Sequence, residues 1–297
     1  MLVPTKPQLA ISLASLLVTG TLWGDNEKNY TYLALGDSVA YGLDVRLLGH
    51  HPLPMPSMFV GYPEIVAQQE DQPAKKRVNA SCPGETSSSF VTPGAPDYGC
   101  HGLGPRGEPP FKTWIGLHTD YPGTQLSFAV SQLSSNKHIN LVTLGIGAND
   151  ALLLLRNCQT AADPSLCFTN GFPGLLQTYG ANLAHILAAI RQQARYFGRL
   201  VLVATYSPSV QLIPVAVGLN TVTQAVGQQF GAIYADGFTA FQVAAAHFGG
   251  DVCKAGLLIH LDATTCDIHP SPKGRDLLAL IVLASIGEGN IDEHGDH

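Results

Sequence analysis

Charged residues are scarce in this sequence. Asp, Glu, Lys and Arg together make up 13% of 297 residues, and 22 acids against 16 bases leave a net charge of −6. The strongest basic cluster is Lys75-Lys76-Arg77. Nucleic acid binding needs concentrated Lys and Arg, so nucleic acid is not an expected partner. No C-x-x-C pair occurs among the six cysteines, which argues against a zinc site. No internal repeat is visible, and no linker splits the chain after residue 24. One domain is therefore expected over residues 25–297, ending in a polar tail at 287–297. A hydrophobic fraction of 45% excludes a disordered chain.

Export is expected from the first residues. Lys6 precedes an uncharged apolar stretch, "LAISLASLLVTGTLWG", with small residues at Gly20 and Gly24. This reads as a signal peptide over residues 1–24. The stretch falls short of the roughly 20 residues a spanning helix needs, so no stable membrane span is expected after its removal. No cysteine follows it, which argues against a lipoprotein. The expected location is secreted or periplasmic, and a monomer is expected. The cysteines agree with an oxidising compartment. They fall into three sequence-local couples, Cys82–Cys100, Cys158–Cys167 and Cys253–Cys266, each closing a short loop. Each such bridge contributes roughly 2–3 kcal/mol.

Strand-like and helix-like segments alternate after residue 30. Short apolar runs at 31–36, 139–146 and 200–205 read as strands, and "RVNAS" (77–81) and "AIYAD" (232–236) offer two more. Helices are predicted at 63–70, 124–134, 181–197, 219–230, 238–248 and 272–286. In 181–197, Leu183, Leu187, Ile190, Ala194 and Phe197 form one stripe, and Gly198 ends it. Residues 82–122 are rich in Gly and Pro and read as mostly loop. The alternation predicts an α/β fold with a parallel sheet and helices on both faces. Ligands in such sheets bind outside the C-terminal ends of strands.

The segments immediately after the strands carry the chemistry. "GDSVAYG" with Ser38 comes after the first, "SCPGETSSSF" with Gly84 after the second, and "GIGANDALL" with Asn149 and Asp150 after the third. If the second and third strands flank the first, these loops meet at one edge. A serine nucleophile, a glycine N–H and a neutral amide donor make the set that acyl transfer needs. Each piece alone is common: Gly-Asp-Ser occurs in ordinary turns, and Asp150 suits a helix cap or loop anchor better than a catalytic acid. "TTCDIHPSPKG" supplies His269 as the candidate base. His50-His51 and His101 lie in loops that border the expected pocket, and His294 and His297 belong to the tail. Asn29 and Asn79 begin formal glycosylation sequons, the second expected to be buried.

In order, "LALGDSVAYG", "NASCPGETSSSF", "GIGAND" and "DIHPSPKG" resemble the four blocks of the SGNH (GDSL) hydrolases, serine esterases and lipases. The resemblance runs from residue 31 to about 286. The cysteine before Pro83-Gly84 is most similar to secreted bacterial esterases of that family with three local disulfides, which supports the pairing above. The resemblance implies a flavodoxin-like, three-layer α/β/α sandwich with a five-stranded parallel sheet. It implies Ser38 as nucleophile, His269 as base, and an oxyanion hole from Ser38, Gly84 and Asn149, with no metal and no cofactor. The implied substrate is a small-molecule, lipid or glycan ester. A carbohydrate O-acetyl esterase would use the same residues, and a catalytically dead binding protein is the rival from another class.

Two positions depart from the family pattern. Val39 stands where the short family name implies Leu, which touches packing only. Many members carry the orienting aspartate three residues before the histidine, where this chain has Cys266; Asp267 is only two before. One imidazole nitrogen must be held by an acceptor to set the tautomer. Asp267, a main-chain oxygen near Cys266 and Asp262 are the three candidates, and the sequence leaves the choice open. The acyl pocket is expected to be walled by the loops at 43–62 and 82–122.

Overall fold

A computed structural model describes residues 31–69 and 77–288. The predicted signal peptide, the sequon at Asn29 and tail residues 289–297 lie outside the described residues. Five strands, β1 (Tyr32–Gly36), β2 (Arg77–Asn79), β3 (Leu141–Gly145), β4 (Arg199–Val203) and β5 (Ile233–Ala235), form one parallel sheet in the order β2-β1-β3-β4-β5. The expected flanking of the first strand by the second and third is thus present. Register aligns the strand ends: Tyr32 pairs with Leu141 and Gly36 with Gly145. The chain therefore leaves β1 and β3 at the same level of the sheet.

Alternation along the strands decides which helices pack where. Leu33, Leu35, Val142, Leu144, Leu200 and Leu202 point into one core, with α5 (Gln125–Ser135), α7 (Pro164–Ala188) and α8 (Ile213–Gln229) over them. Tyr32, Ala34, Leu141, Val201 and Val203 point into the other, under α2 (Tyr62–Gln69), α9 (Gly237–Ala245) and α10 (Pro272–Glu288). This is the expected three-layer α/β/α sandwich. The described part of α8, extended back to Val210, is long and apolar enough to cross a membrane; here it packs against α7 and the sheet.

Several local expectations are corrected. The helix predicted at 181–197 begins much earlier, at Pro164, capped by the Asp163 side chain on Leu166 N–H. It ends earlier too: its last turn widens into a π-helical turn at Ala189–Gln193, and Arg195 takes a left-handed backbone at φ 53°. Gly198 is therefore no helix cap, and Phe197 leaves the stripe at 84% exposure. Tyr196 packs inward in its place, its hydroxyl donating to Arg199 O at 3.0 Å. The 82–122 segment, mostly loop as expected, carries two short helices, α3 (Ser87–Val91) and α4 (Phe111–Trp114). A second, two-stranded antiparallel sheet pairs β6 (Leu258–His260) with β7 (Cys266–Pro270). Nothing in the local pattern of "TTCDIHPSP" announced a strand. Asn79 is buried as expected, its amide donating to Ala40 O and Glu64 Oε1. The three disulfides are Cys82–Cys100, Cys158–Cys167 and Cys253–Cys266.

Candidate active site

Ser38 is the first residue of α1 (Ser38–Tyr41), directly off the end of β1. The turn that presents it is held from both sides. Gly36 N–H donates to Gln125 Oε1 at 2.6 Å, and Gln125 Nε2 donates back to Gly36 O at 3.0 Å. At Gly36 the backbone has φ +139°, and a Cβ there would stand 2.3 Å from Gly145 O, so only glycine fits. Asp37 caps α1, its Oδ1 accepting from Val39 N–H at 3.0 Å. Burial pushes the Asp37 carboxyl up to about 6, against the pull of the Val39 N–H and of His269.

His269 comes to Ser38 from outside the main sheet, on β7. Its Nε2 lies 2.9 Å from Ser38 Oγ. Its Nδ1 is bonded to Asp267 Oδ1, which also accepts from His269 N–H at 3.0 Å. The geometry selects Asp267 among the three candidate partners, and strand parity explains why. Residues two apart on a strand project from the same face, whereas a residue three before would face away. Asp262 is instead occupied by Thr264 and Thr265. Burial raises the Asp267 carboxyl, but the hydrogen bonds from His269 and its charge outweigh this and hold it below the ordinary carboxylate value. Tyr206, in the loop after β4, pins the hairpin by donating its hydroxyl to Ile268 O at 2.6 Å.

Asn149 lies in the first turn of α6 (Ala148–Cys158), buried beside Ser38 in the same cleft. Its Nδ2 donates to Glu85 O at 3.0 Å, which joins the third block to the second. Asp150 accepts from Ser87 N–H at 2.9 Å and from Ser87 Oγ at 2.6 Å. It anchors the first residue of α3. Burial pushes its carboxyl up to about 6, with the Ser87 bonds pulling the other way. Gly84 adopts φ +85°, and a Cβ there would meet Tyr98 O at 2.6 Å. It is buried and does not line the cleft that Ser38, Asn149 and His269 share. Among the described residues its N–H has no backbone acceptor.

Two residues of the site were not singled out in the sequence. Gln125 and Glu85 are both fully buried, and Gln125 Nε2 reaches Glu85 Oε2 at 3.1 Å. Gln125 thereby ties the turn before Ser38 to the residue after Gly84. No pattern marks it, because its partners are 89 and 40 positions away. The possible metal-ligand groups among the described residues each include a cysteine already in a disulfide.

An open cleft leads away from Ser38. Leu152 and Leu155 of α6, and Leu212, Val215 and Leu219 at and along α8, form its apolar walls, with Ile268 and His269 at one side. This corrects the expectation that the loops at 43–62 and 82–122 wall the pocket; of those residues only Tyr62 lines it. The helices after β3 and β4 do so instead: Ser38 leaves β1 at the switch point between β1 and β3, and α6 and α8 follow the next two strands on the β3 side.

The model of the GDSL-like lipase/acylhydrolase family matches residues 34–277, from within β1 to the first turns of α10. The chain belongs to that family. As a GDSL-like lipase/acylhydrolase it is a carboxylic ester hydrolase, and the four blocks fall within the match, save Leu33 at the start of the first. No curated protein matches the sequence. Solved structures share the fold at low identity. A protein described as a GDSL-like lipase from Parabacteroides merdae is 15% identical with a TM-score of 0.53, covering 88% of this chain and 97% of its own. Phospholipase A1 from Streptomyces albidoflavus is 18% identical at 0.52, covering 86% and 98%. An extracellular lipase from Streptomyces rimosus is 17% identical at 0.51, covering 86% and 99%.

Proposed function

We propose that this chain is an exported serine esterase or lipase working through an acyl-enzyme on Ser38. The observation that carries the reading is the continuous relay from Ser38 Oγ through His269 to Asp267. With Asp267 accepting the Nδ1 proton, Nε2 is free to take the Ser38 proton as Oγ attacks the ester carbonyl. The resulting imidazolium then hands its proton to the leaving alkoxide as the C–O bond breaks. Water, deprotonated by the same Nε2, releases the acid and restores Ser38.

The negative charge that develops on the carbonyl oxygen needs donors already in place. Asn149 has one amide hydrogen on Glu85 O and keeps the second for the oxyanion. The N–H groups of Ser38 and Gly84 complete the hole in this reading. Gly84 is tied to Asn149 through the adjoining Glu85 carbonyl, which supports its inclusion although it does not line the cleft. The apolar walls favour an acyl chain longer than acetyl over a glycan, whose hydroxyls would lack partners there. Export from residues 1–24, a single domain over 25–297 and a monomeric state belong to the same proposal; three disulfides support an oxidising destination.

A fluorophosphonate probe tests the mechanism. The expected result is stoichiometric labelling at Ser38, lost in Ser38→Ala; absence of label on the folded wild-type chain rejects it. Activity on p-nitrophenyl esters that rises with chain length beyond acetate supports the acyl cleft, and preference for acetylated xylan rejects it.

A further inference from the structure

Between Asp44 and Glu64 the chain has no acidic residue, although acids outnumber bases 22 to 16 overall. Within this stretch lies "LPMPSMFV", residues 53–60. It turns Leu53, Met55, Met58 and Val60 outward at 40, 63, 51 and 40% exposure. The protein has three methionines, and the two beyond Met1 are both here. Methionine and leucine on a surface make an adaptable apolar contact face.

The segment is held in place rather than left loose. Phe59 is buried with its ring 5.2 Å from Tyr41 and 6.3 Å from Phe111. Tyr41 ends the helix that Ser38 begins, and its hydroxyl donates to Gly116 O at 3.0 Å. Met58 and Val60 share a cleft with Leu43 and Pro270, the one close after α1 and the other directly after His269. Met58 and Val60 therefore stand next to the segments that carry Ser38 and His269.

We propose that residues 53–60 dock the enzyme onto a lipid–water interface, where aggregated ester substrate is presented. Pro52, Pro54 and Pro56 carry no N–H, and Ser57 is the only polar side chain from 52 to 60. A protein partner would ask for more hydrogen bonds than this surface offers, and an acyl layer asks for none. The flanking charges suit the same occupant: Asp44 is neutralised by Arg46 at 2.6 Å, and exposed His50 and His51 are the other ionisable neighbours in the segment. The proposal rests on the ester hydrolase reading for its purpose, but binding itself is read without turnover.

The test is cosedimentation of the full chain with vesicles of ether-linked phosphatidylcholine, which cannot be hydrolysed. Leu53→Asp/Met55→Asp is expected to weaken partitioning by at least about tenfold, with kcat/KM on a soluble butyrate ester unchanged. Val243→Asp, at an equally exposed apolar site on α9, is expected to change neither. Equal partitioning of wild type and double variant overturns the proposal, as does a wild type that fails to bind. A dimer that the double variant disrupts, without any vesicle effect, assigns the patch to a second copy and also overturns it. Fluorophosphonate labelling of the same preparations keeps the two readings apart. Labelled protein that ignores vesicles sinks only the docking surface, and unlabelled protein sinks the hydrolase mechanism.

Discussion

Ser38 stands at the end of a five-stranded sheet, whereas His269 stands on a two-stranded hairpin outside it. The serine side is buried and tied by long-range bonds: Gln125 to Gly36 and Glu85, Asn149 to Glu85, Asp150 to Ser87. The histidine side is a partly exposed strand pair, closed by Cys253–Cys266 and pinned by the Tyr206 hydroxyl. The first arrangement gives position through the cooperative packing of the domain. The second gives position through a few nameable links, and each link can be cut separately.

The largest effect is expected on the histidine side. Asp267→Asn should lower kcat by about 10²–10⁴-fold, since an amide does not hold the same tautomer. A kcat within a few-fold of wild type would mean that the main chain, not the carboxylate, orients the ring. On the serine side the effect should appear in stability first. Gln125→Leu strands the Gly36 N–H and takes the amide donor from Glu85 Oε2 in a fully buried site, while Gly36 C=O keeps the Cys82 N–H; it is expected to cost about 2–4 kcal/mol in denaturant unfolding. If it costs less than the hairpin substitution Tyr206→Phe does, the contrast between the two sides is mistaken.

Replacing Cys253 and Cys266 together by Ala opens a loop of 13 residues. The chain-entropy argument predicts a loss of about 3 kcal/mol, read by calorimetry. The expected activity loss exceeds that of the Cys158/Cys167 pair, whose loop lies away from the relay. Tyr206→Phe removes the hydroxyl bond to Ile268 O. A fall of about tenfold in kcat at nearly unchanged Tm is expected, because the hairpin shifts while the sheet does not.

The smallest effect sharpens the electrostatics. The folded Asp267 carboxyl lies below its ordinary value of 3.8. Its bond to His269 therefore stabilises the fold above that value, and the contribution is lost as pH falls through the lower folded pKa. Asp267→Asn should flatten this part of the acid limb of a Tm–pH curve, and an unchanged limb would place the acid sensitivity elsewhere. Asp37 and Asp150 act with the opposite sign. Their carboxyls are raised to about 6, so stability from this source is greatest below pH 4 and declines as pH rises toward 6.

The strands were legible because apolar runs bounded by Gly and Asp need no partner to be recognised. The stripe through Leu183, Leu187 and Ile190 was legible too, but its ends were not. Phe197 continues the helical period on paper, yet a π turn and the left-handed Arg195 redirect the chain before it. Tertiary packing overrides a period there. The cleft walls were misplaced for a related reason. The loops at 43–62 and 82–122 were expected to wall the pocket, while the cleft is lined by α6 and α8, the helices that follow β3 and β4 in the strand order.

By itself the sequence determined the four blocks, their order, and the local pairing of its cysteines. Those features depend on residue type and short spacing, which a linear chain displays directly. Only the tertiary structure decided that Asp267 is bonded to His269, that Gln125 locks the turn before Ser38, and that Gly84 is buried against Tyr98. The physical reason is the same in each case. Strand parity at β7, a hydrogen bond spanning 89 residues, and burial behind Tyr98 all depend on where distant backbone lies. Local pattern carries no record of that.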